Sequence, residues 1–149
     1  MGLSRRKFIQ TSVLGSVAVA TGCDTEQVPI ESKIIKHPIS ISTWNHGIIS
    51  NEEAMKILNA GGSALDAVEA GVKTAEADPE GLSVGIGGLP DRDGHVTLDA
   101  CIMDEKGNAG SVCFLENIVH PISVARKVME ETPHVMLAGE GALQFAISQ

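Results

Sequence analysis

SVGIGGLPDRDGHVTLDACIMDEKGN, residues 83–108, opens with glycines at 85, 87 and 88 and then carries aspartates at 91, 93, 99 and 104. Two chemistries compete for such a stretch: a phosphate cradle and an acidic metal loop. A dinucleotide loop needs G-x-G-x-x-G between a strand and the helix whose N-terminus takes the pyrophosphate. Here the glycines run into HVTLDACIMD, where Val96, Leu98, Ala100 and Ile102 alternate with Thr97, Asp99, Cys101 and Met103, which predicts a strand. The aspartates lack the 1-3-5-12 spacing of a calcium loop. DRDG therefore reads as a hairpin turn with Gly94 at positive φ, and Asp99 as a carboxylate satisfying nearby backbone. Backbone carbonyls of Gly85–Gly88 holding a monovalent cation remain an alternative. No catalytic metal set and no cofactor site is read here.

Working outward, DEKGN is a turn and AGSVCFLEN a second strand, so 95–103 and 109–114 form a hairpin. Upstream, Ala54, Ile57, Leu58, Leu65, Val68, Val72 and Ala75 recur at helical spacing with Gly61-Gly62 between them. Ser63, with Asp66 three residues later, resembles a capping box, giving helices over about 51–60 and 63–77. HPISISTW, 37–44, is β-branched and predicts a strand. Downstream, Pro121 starts a helix with Ile122, Ala125, Val128 and Met129 as its buried stripe. A short apolar run, a glycine-flanked turn and a last helix follow. The order (strand, two helices, about three strands, two helices) predicts an α/β chain, layered as α+β, with one helical layer and part of a sheet present.

Composition sets outer limits. The chain has 149 residues, 43% hydrophobic, with one Trp, three Phe and no Tyr, so the core must come from Val, Ile, Leu and Ala. Residues 1–22, MGLSRRKFIQTSVLGSVAVATG, hold three basic residues and no acidic one. The remainder has 8 Lys+Arg against 19 Asp+Glu, net −11, which argues against nucleic acid and anionic lipid as partners.

That first segment reads as an export signal. Arg5-Arg6 before Lys7-Phe8-Ile9 matches a twin-arginine pattern, and the uncharged run from Phe8 to Ala20 is shorter than the ~20 residues of a membrane span. VATGC resembles a lipobox, making Cys23 a candidate lipidation site; a plain signal peptide with an incidental cysteine is the alternative. Residues 23–36 read as a polar tether and 37–149 as the folded part. The expected location is the periplasm, or its membrane face through a lipid anchor alone. Cys101 and Cys113 are read as either a disulfide or buried free thiols.

STWNHG, GGSALDAVEAGV, EADPEGLSVGIGGLPDRDGHVTLDACIMD and HPISVARKVMEETPHVMLAGEGALQFA together resemble the α-chain half of the glycosylasparaginases, N-terminal-nucleophile hydrolases, from about residue 37 onward. Plant-type asparaginases share the ALDAVE and LDA-IMD pieces. The resemblance implies a partial αββα sandwich with its second half missing. It also implies a precursor cut before a threonine, whose hydroxyl attacks a side-chain amide while its own α-amine acts as base. That threonine is expected downstream of this chain, because no HDT-like site occurs here and Thr132 matches a helix end. Trp44, Ser83 and His46 are implied as substrate-pocket residues; a core role is the alternative for Trp44, and His46 departs from a Phe common in the family. The implied substrate is an asparagine-linked glycan remnant or a β-aspartyl amide, and the implied partners are the chain's own β-half and a second αβ unit. A non-catalytic lipoprotein acting as a binding or scaffold module is the competing expectation.

Overall fold

A computed structural model describes residues 37–149. Two helices, α1 (Gly47–Asn59) and α2 (Ala64–Glu76), come first. A 3-10 turn at Gly85–Gly87 leads to the hairpin β1 (Leu98–Met103) and β2 (Ala109–Leu115). Helix α3 (Pro121–Glu131), the short β3 (Leu137–Ala138) and α4 (Gly139–Ser148) complete the fold. The strand order is β1-β2-β3, with β1 and β2 antiparallel and β3 parallel to β2. This mixed α/β arrangement is the one expected for part of a layered N-terminal-nucleophile hydrolase fold.

The hairpin forms because its sequence alternates and Asp104 folds its turn; Asp91 folds the loop ahead of it, which is no hairpin turn because no strand precedes it among the described residues. Asp104 Oδ1 accepts the N–H groups of Lys106 and Asn108, which folds DEKGN, with Gly107 at φ 84°. Asp91 Oδ1 accepts those of Asp93 and His95, and Gly94 sits at φ 90°. Because Asp91 N–H donates to His95 O, residues 91–95 close on themselves, and β1 starts at Leu98 rather than 95. The ladder slips between Leu98 and Ala100, where Phe114 takes φ 53°. Asp99 Oδ1 accepts the Phe114 N–H at 2.8 Å, so the in-strand carboxylate satisfies the bulge.

Inward residues of this hairpin meet the apolar face of α3. Leu115, Val112, Ile122 and Val128 are fully buried, with Ile102, Ala125 and Ala142 around them. Gly110 lets the helix come close: a Cβ there would lie 2.2 Å from Ala125 O. The opposite face, with Asp99, Cys101 and Met103 of β1 and Ser111 and Cys113 of β2, carries no covering layer among the described residues.

Several expectations need correction. Residues 38–43 form no strand: no strand among the described residues lies beside them, so their backbone has no ladder, and Ile39 and Ile41 stay exposed. Their serines bond to α1 instead, Ser40 Oγ to Asn51 Oδ1 and Ser42 Oγ to Gly47 O. Helix α1 starts four residues early because the Asn45 and His46 carbonyls already accept from Ile48 and Ser50. Val68, placed on the buried stripe, is 50% exposed; α2 instead faces α1 through Ala67, Gly71 and Ala75. A glycine-flanked turn was expected before the last helix, yet Gly139 and Gly141 lie inside α4. Neither cysteine is in a disulfide, and Cys101 is exposed rather than buried. The signal, tether and Cys23 readings fall on residues outside the described part. Among the described residues, no helix is long and apolar enough to cross a membrane.

Candidate active site

The end of α2, the 83–87 turn, the start of β1 and the start of α3 converge on a cleft of about 490 Å³. Its walls include His46, Ser83, Glu76, Asp99, Cys101 and Ile122. Two of the three pocket residues expected from sequence, His46 and Ser83, are thus brought together. Trp44 is not in the lining: it sits two residues before His46, at φ 67° and 82% exposed, and its carbonyl accepts from Gly47 N–H. Thr43 and Thr97 also line the cleft, but among the described residues neither hydroxyl is hydrogen-bonded to a base. Thr132 ends α3 as expected, its hydroxyl donating to Val128 O and accepting from His134 N–H. No group of three or more metal-ligating side chains occurs among the described residues.

Local sequence explains why Ser83 stands where it does. Gly85 adopts φ 67°, and a Cβ there would lie 2.0 Å from Glu76 O and 2.4 Å from Glu76 Cα. Only glycine lets this turn rest directly on the last residue of α2. Gly88 N–H closes onto Gly85 O and Leu89 N–H onto Leu82 O. Ser83 is therefore held at the open edge of a turn fixed from below, with its side chain exposed. The glycines bring backbones together, Gly85 onto Glu76 and Gly87 onto Pro79.

Glu76 is the residue that sequence reasoning missed. It is the one buried charged side chain among the described residues, 4% exposed. Oε1 accepts the Ile122 N–H at 2.9 Å, and Oε2 lies 3.3 Å from His120 Nδ1. Helix α3 has His120 at its N-cap without a side-chain cap and Pro121 without an N–H, so Ile122 supplies the first free donor, and a carboxylate from another helix takes it. Burial pushes the Glu76 carboxyl up to about 7, against the Ile122 N–H and Lys73, which favour the charge. Burial lowers the His120 imidazole from its usual value. A signal existed in the sequence: an acid in the last turn of a helix opposes the helix dipole and so implies a partner elsewhere.

Charges also bolt α2 to α3 outside the cleft. Arg126 donates to Asp66 and Glu69 on α2, at 2.7 and 2.8 Å, and to Glu130 on its own helix at 2.7 Å. Ser123 Oγ donates to Glu69 at 2.6 Å. Hydrogen bonds from Ser63 and from Arg126 hold the Asp66 carboxyl below its usual value. The Ser63 hydroxyl takes the Asp66 N–H at 3.0 Å as a capping box requires, but Asp66 replies to the hydroxyl rather than to the Ser63 backbone.

Comparison with known proteins matches the sequence of this chain to one family. The family model described as "Asparaginase" matches residues 35–149. An N(4)-(Beta-N-acetylglucosaminyl)-L-asparaginase from Elizabethkingia miricola is 54% identical, over 100% of this chain and 45% of its own length. A Rattus norvegicus protein of the same name is 46% identical, over 74% of this chain and 32% of its own. An isoaspartyl peptidase from Salmonella typhimurium is 48% identical over 66% and 31%. The chain thus spans less than half the length of the relatives it matches. It belongs to the asparaginase family of N-terminal-nucleophile hydrolases.

Proposed function

We propose that this chain is the N-terminal half of an exported amidohydrolase that cleaves the side-chain amide of asparagine, glycosylated asparagine being the first substrate to test. The observation that carries this reading is the 54% identity to an N(4)-(Beta-N-acetylglucosaminyl)-L-asparaginase, extending across the whole chain. The cleft supports it: His46 and Ser83 share its walls with Asp99 and Cys101 of the open face of the sheet. In this reading a β-half, outside these residues, lays its own sheet on that face and brings a threonine freed by self-cleavage to the cleft. Two such αβ units pair. The export signal and an acyl chain on Cys23 place the enzyme in the periplasm or at its membrane.

The chemistry follows from the groups. A free α-amine titrates at roughly 7.7–8, so it can accept the proton of its own hydroxyl near neutral pH. The hydroxyl adds to the amide carbonyl, the amine leaves with a proton, and water releases aspartate from the ester. Ser83 stands to orient the threonine hydroxyl, while His46 and the Thr97–Asp99 wall shape the amide's approach.

The test is complementation. The chain is co-expressed with the C-terminal half of the Elizabethkingia miricola relative and given N-acetylglucosaminyl-asparagine. Released aspartate is expected, falling about 10- to 100-fold in Ser83→Ala, as loss of one orienting hydrogen bond implies. Release from a β-aspartyl dipeptide alone would move the substrate to the isoaspartyl branch. No release from either amide, with both halves soluble and associated, defeats the amidohydrolase reading.

A further inference from the structure

The cleft has a floor, and a single side chain holds it together. Glu76 joins three elements at one point. Its backbone carries the Gly85 turn, its Oε1 caps α3 at Ile122, and its Oε2 meets His120. Glu76, Gly85, Pro121 and Ile122 all line the cleft, with Ser83 two residues from the Gly85 contact. We infer that Glu76 is a positioning residue whose protonated carboxyl latches the start of α3 onto the end of α2, on whose backbone the Ser83–Gly85 turn rests, and whose ionisation loosens that floor. The geometry stands without the amidohydrolase reading; its consequence for catalysis rests on that reading.

The direction comes from what faces the carboxyl. From α2 itself come Lys73, which favours the charge, and Glu69, which opposes it. The α3 side offers the Ile122 N–H and the His120 imidazole, and the 83–85 turn offers no charge. Across the cleft stand His46, Asp99 and Cys101, and Asp99 is already engaged with Phe114. Burial outweighs these, so the closed floor binds the Glu76 proton more tightly than a solvated carboxyl does. A group with a raised value stabilises the closed state fully below about pH 4.5, and that contribution is lost as pH rises through about 7. His120 acts the other way: its lowered value favours the closed state above its ordinary range and weakens it on acidification.

Local opening that hydrates Glu76 should therefore grow with pH. Between pH 6 and 8 the open fraction rises about tenfold, given 4.5 in the open and about 7 in the closed state. Hydrogen exchange on the full-length protein reads this as protection factors, each divided by its intrinsic rate. The amides to follow are Gly88, Leu89, Ile122 and Ser123, all hydrogen-bonded at the floor. The expected result is a fall of up to about tenfold in wild type, no fall in Glu76→Gln, which keeps the cap without titrating and leaves only the small opposite trend of His120, and a fall at least as large as the wild type's in His120→Asn. Flat wild-type protection overturns the inference even if Glu76→Gln does not fold. Loss of the pH dependence in His120→Asn also overturns it, by assigning the titration to His120. Ammonia release from L-asparagine by this chain associated with the C-terminal half of the Elizabethkingia miricola relative, followed in parallel, separates the two readings. If the exchange pattern holds and neither L-asparagine nor a glycosylated or isoaspartyl amide is cleaved, the latch stands and the amidohydrolase reading falls.

Discussion

Two regions of this chain are held together by different physics. The hairpin under α3 is an apolar core: Leu115, Val112, Ile122 and Val128 fill it, and each is almost without solvent contact. The α1–α2 pair has no such filling. Apart from Gly47 and Glu76, its buried residues are Ala54, Ala67, Gly71 and Ala75, and a Cβ on Gly71 would lie 2.6 Å from Ser50 O, so the two helices meet backbone to backbone. Leu65 and Val72 of α2 rest against the edge of that core, and polar bonds join the pair to α3 beside them: Arg126 to Asp66 and Glu69, Ser123 to Glu69, and Glu76 to Ile122. The cleft lies at the seam between the two. A seam made of charge-assisted hydrogen bonds fixes direction well, yet its strength depends on pH and salt. A packed core is indifferent to both.

The contrast breaks most visibly in the core. Leu115→Ala removes a large side chain from a site with no solvent contact and is expected to cost about 3–5 kcal/mol. Urea denaturation should show a lowered midpoint with little change in slope, independent of pH between 5 and 8. A loss below about 1 kcal/mol would mean that the site collapses freely and the core is not the anchor.

Next comes the seam. Arg126→Met keeps the stem over α2 but leaves Asp66, Glu69 and Glu130 without their shared cation; about 1–2 kcal/mol should be lost. That difference should shrink in 1 M salt, where screening lengths fall to about 3 Å. The pairs are not fully buried, with the Arg126 side chain 23% exposed, so an effect insensitive to salt would point instead to the lost hydrogen bonds and the acceptors left unpaired. A smaller change belongs to the hairpin's irregular end. Asp99→Ala strips the acceptor from Phe114 N–H, whose φ of 53° the bulge imposes, and should cost about 1 kcal/mol. Backbone amide exchange at Phe114 should quicken without a change at Val112.

How much of this was legible depends on whether the sequence carried the partner as well as the residue. The hairpin was, because alternation and turn aspartates are local: Asp91 and Asp104 each fold their own loop. The stripe on α3 was too, with Ile122, Ala125 and Val128 buried as spacing required. The strand over 37–44 was misread because β-branched content describes a residue's preference, while a strand is a pair. Within the site, His46 and Ser83 came from motif likeness, and the structure seats both in one cleft. Glu76 could not come from likeness or period, since its partners lie 44 and 46 residues away in sequence.

The smallest effect separates the two regions most sharply. Val68 falls on the spacing of Leu65, Val72 and Ala75, so pattern alone puts it in an apolar interface. The structure leaves it half exposed, because α2 faces α1 with Ala67 and Gly71, and a second large side chain on that side would push the helices apart. Val68→Ala therefore removes little buried area and replaces a β-branched residue by the best helix former, worth up to about 0.6 kcal/mol in favour of the helix. The expected change in stability is within about 0.5 kcal/mol of zero by urea denaturation. A loss above about 1.5 kcal/mol would show that Val68 is covered by apolar surface after all. The helical pair would then be cored like the hairpin, and the distinction between a packed half and a bolted half would fail at its weakest point.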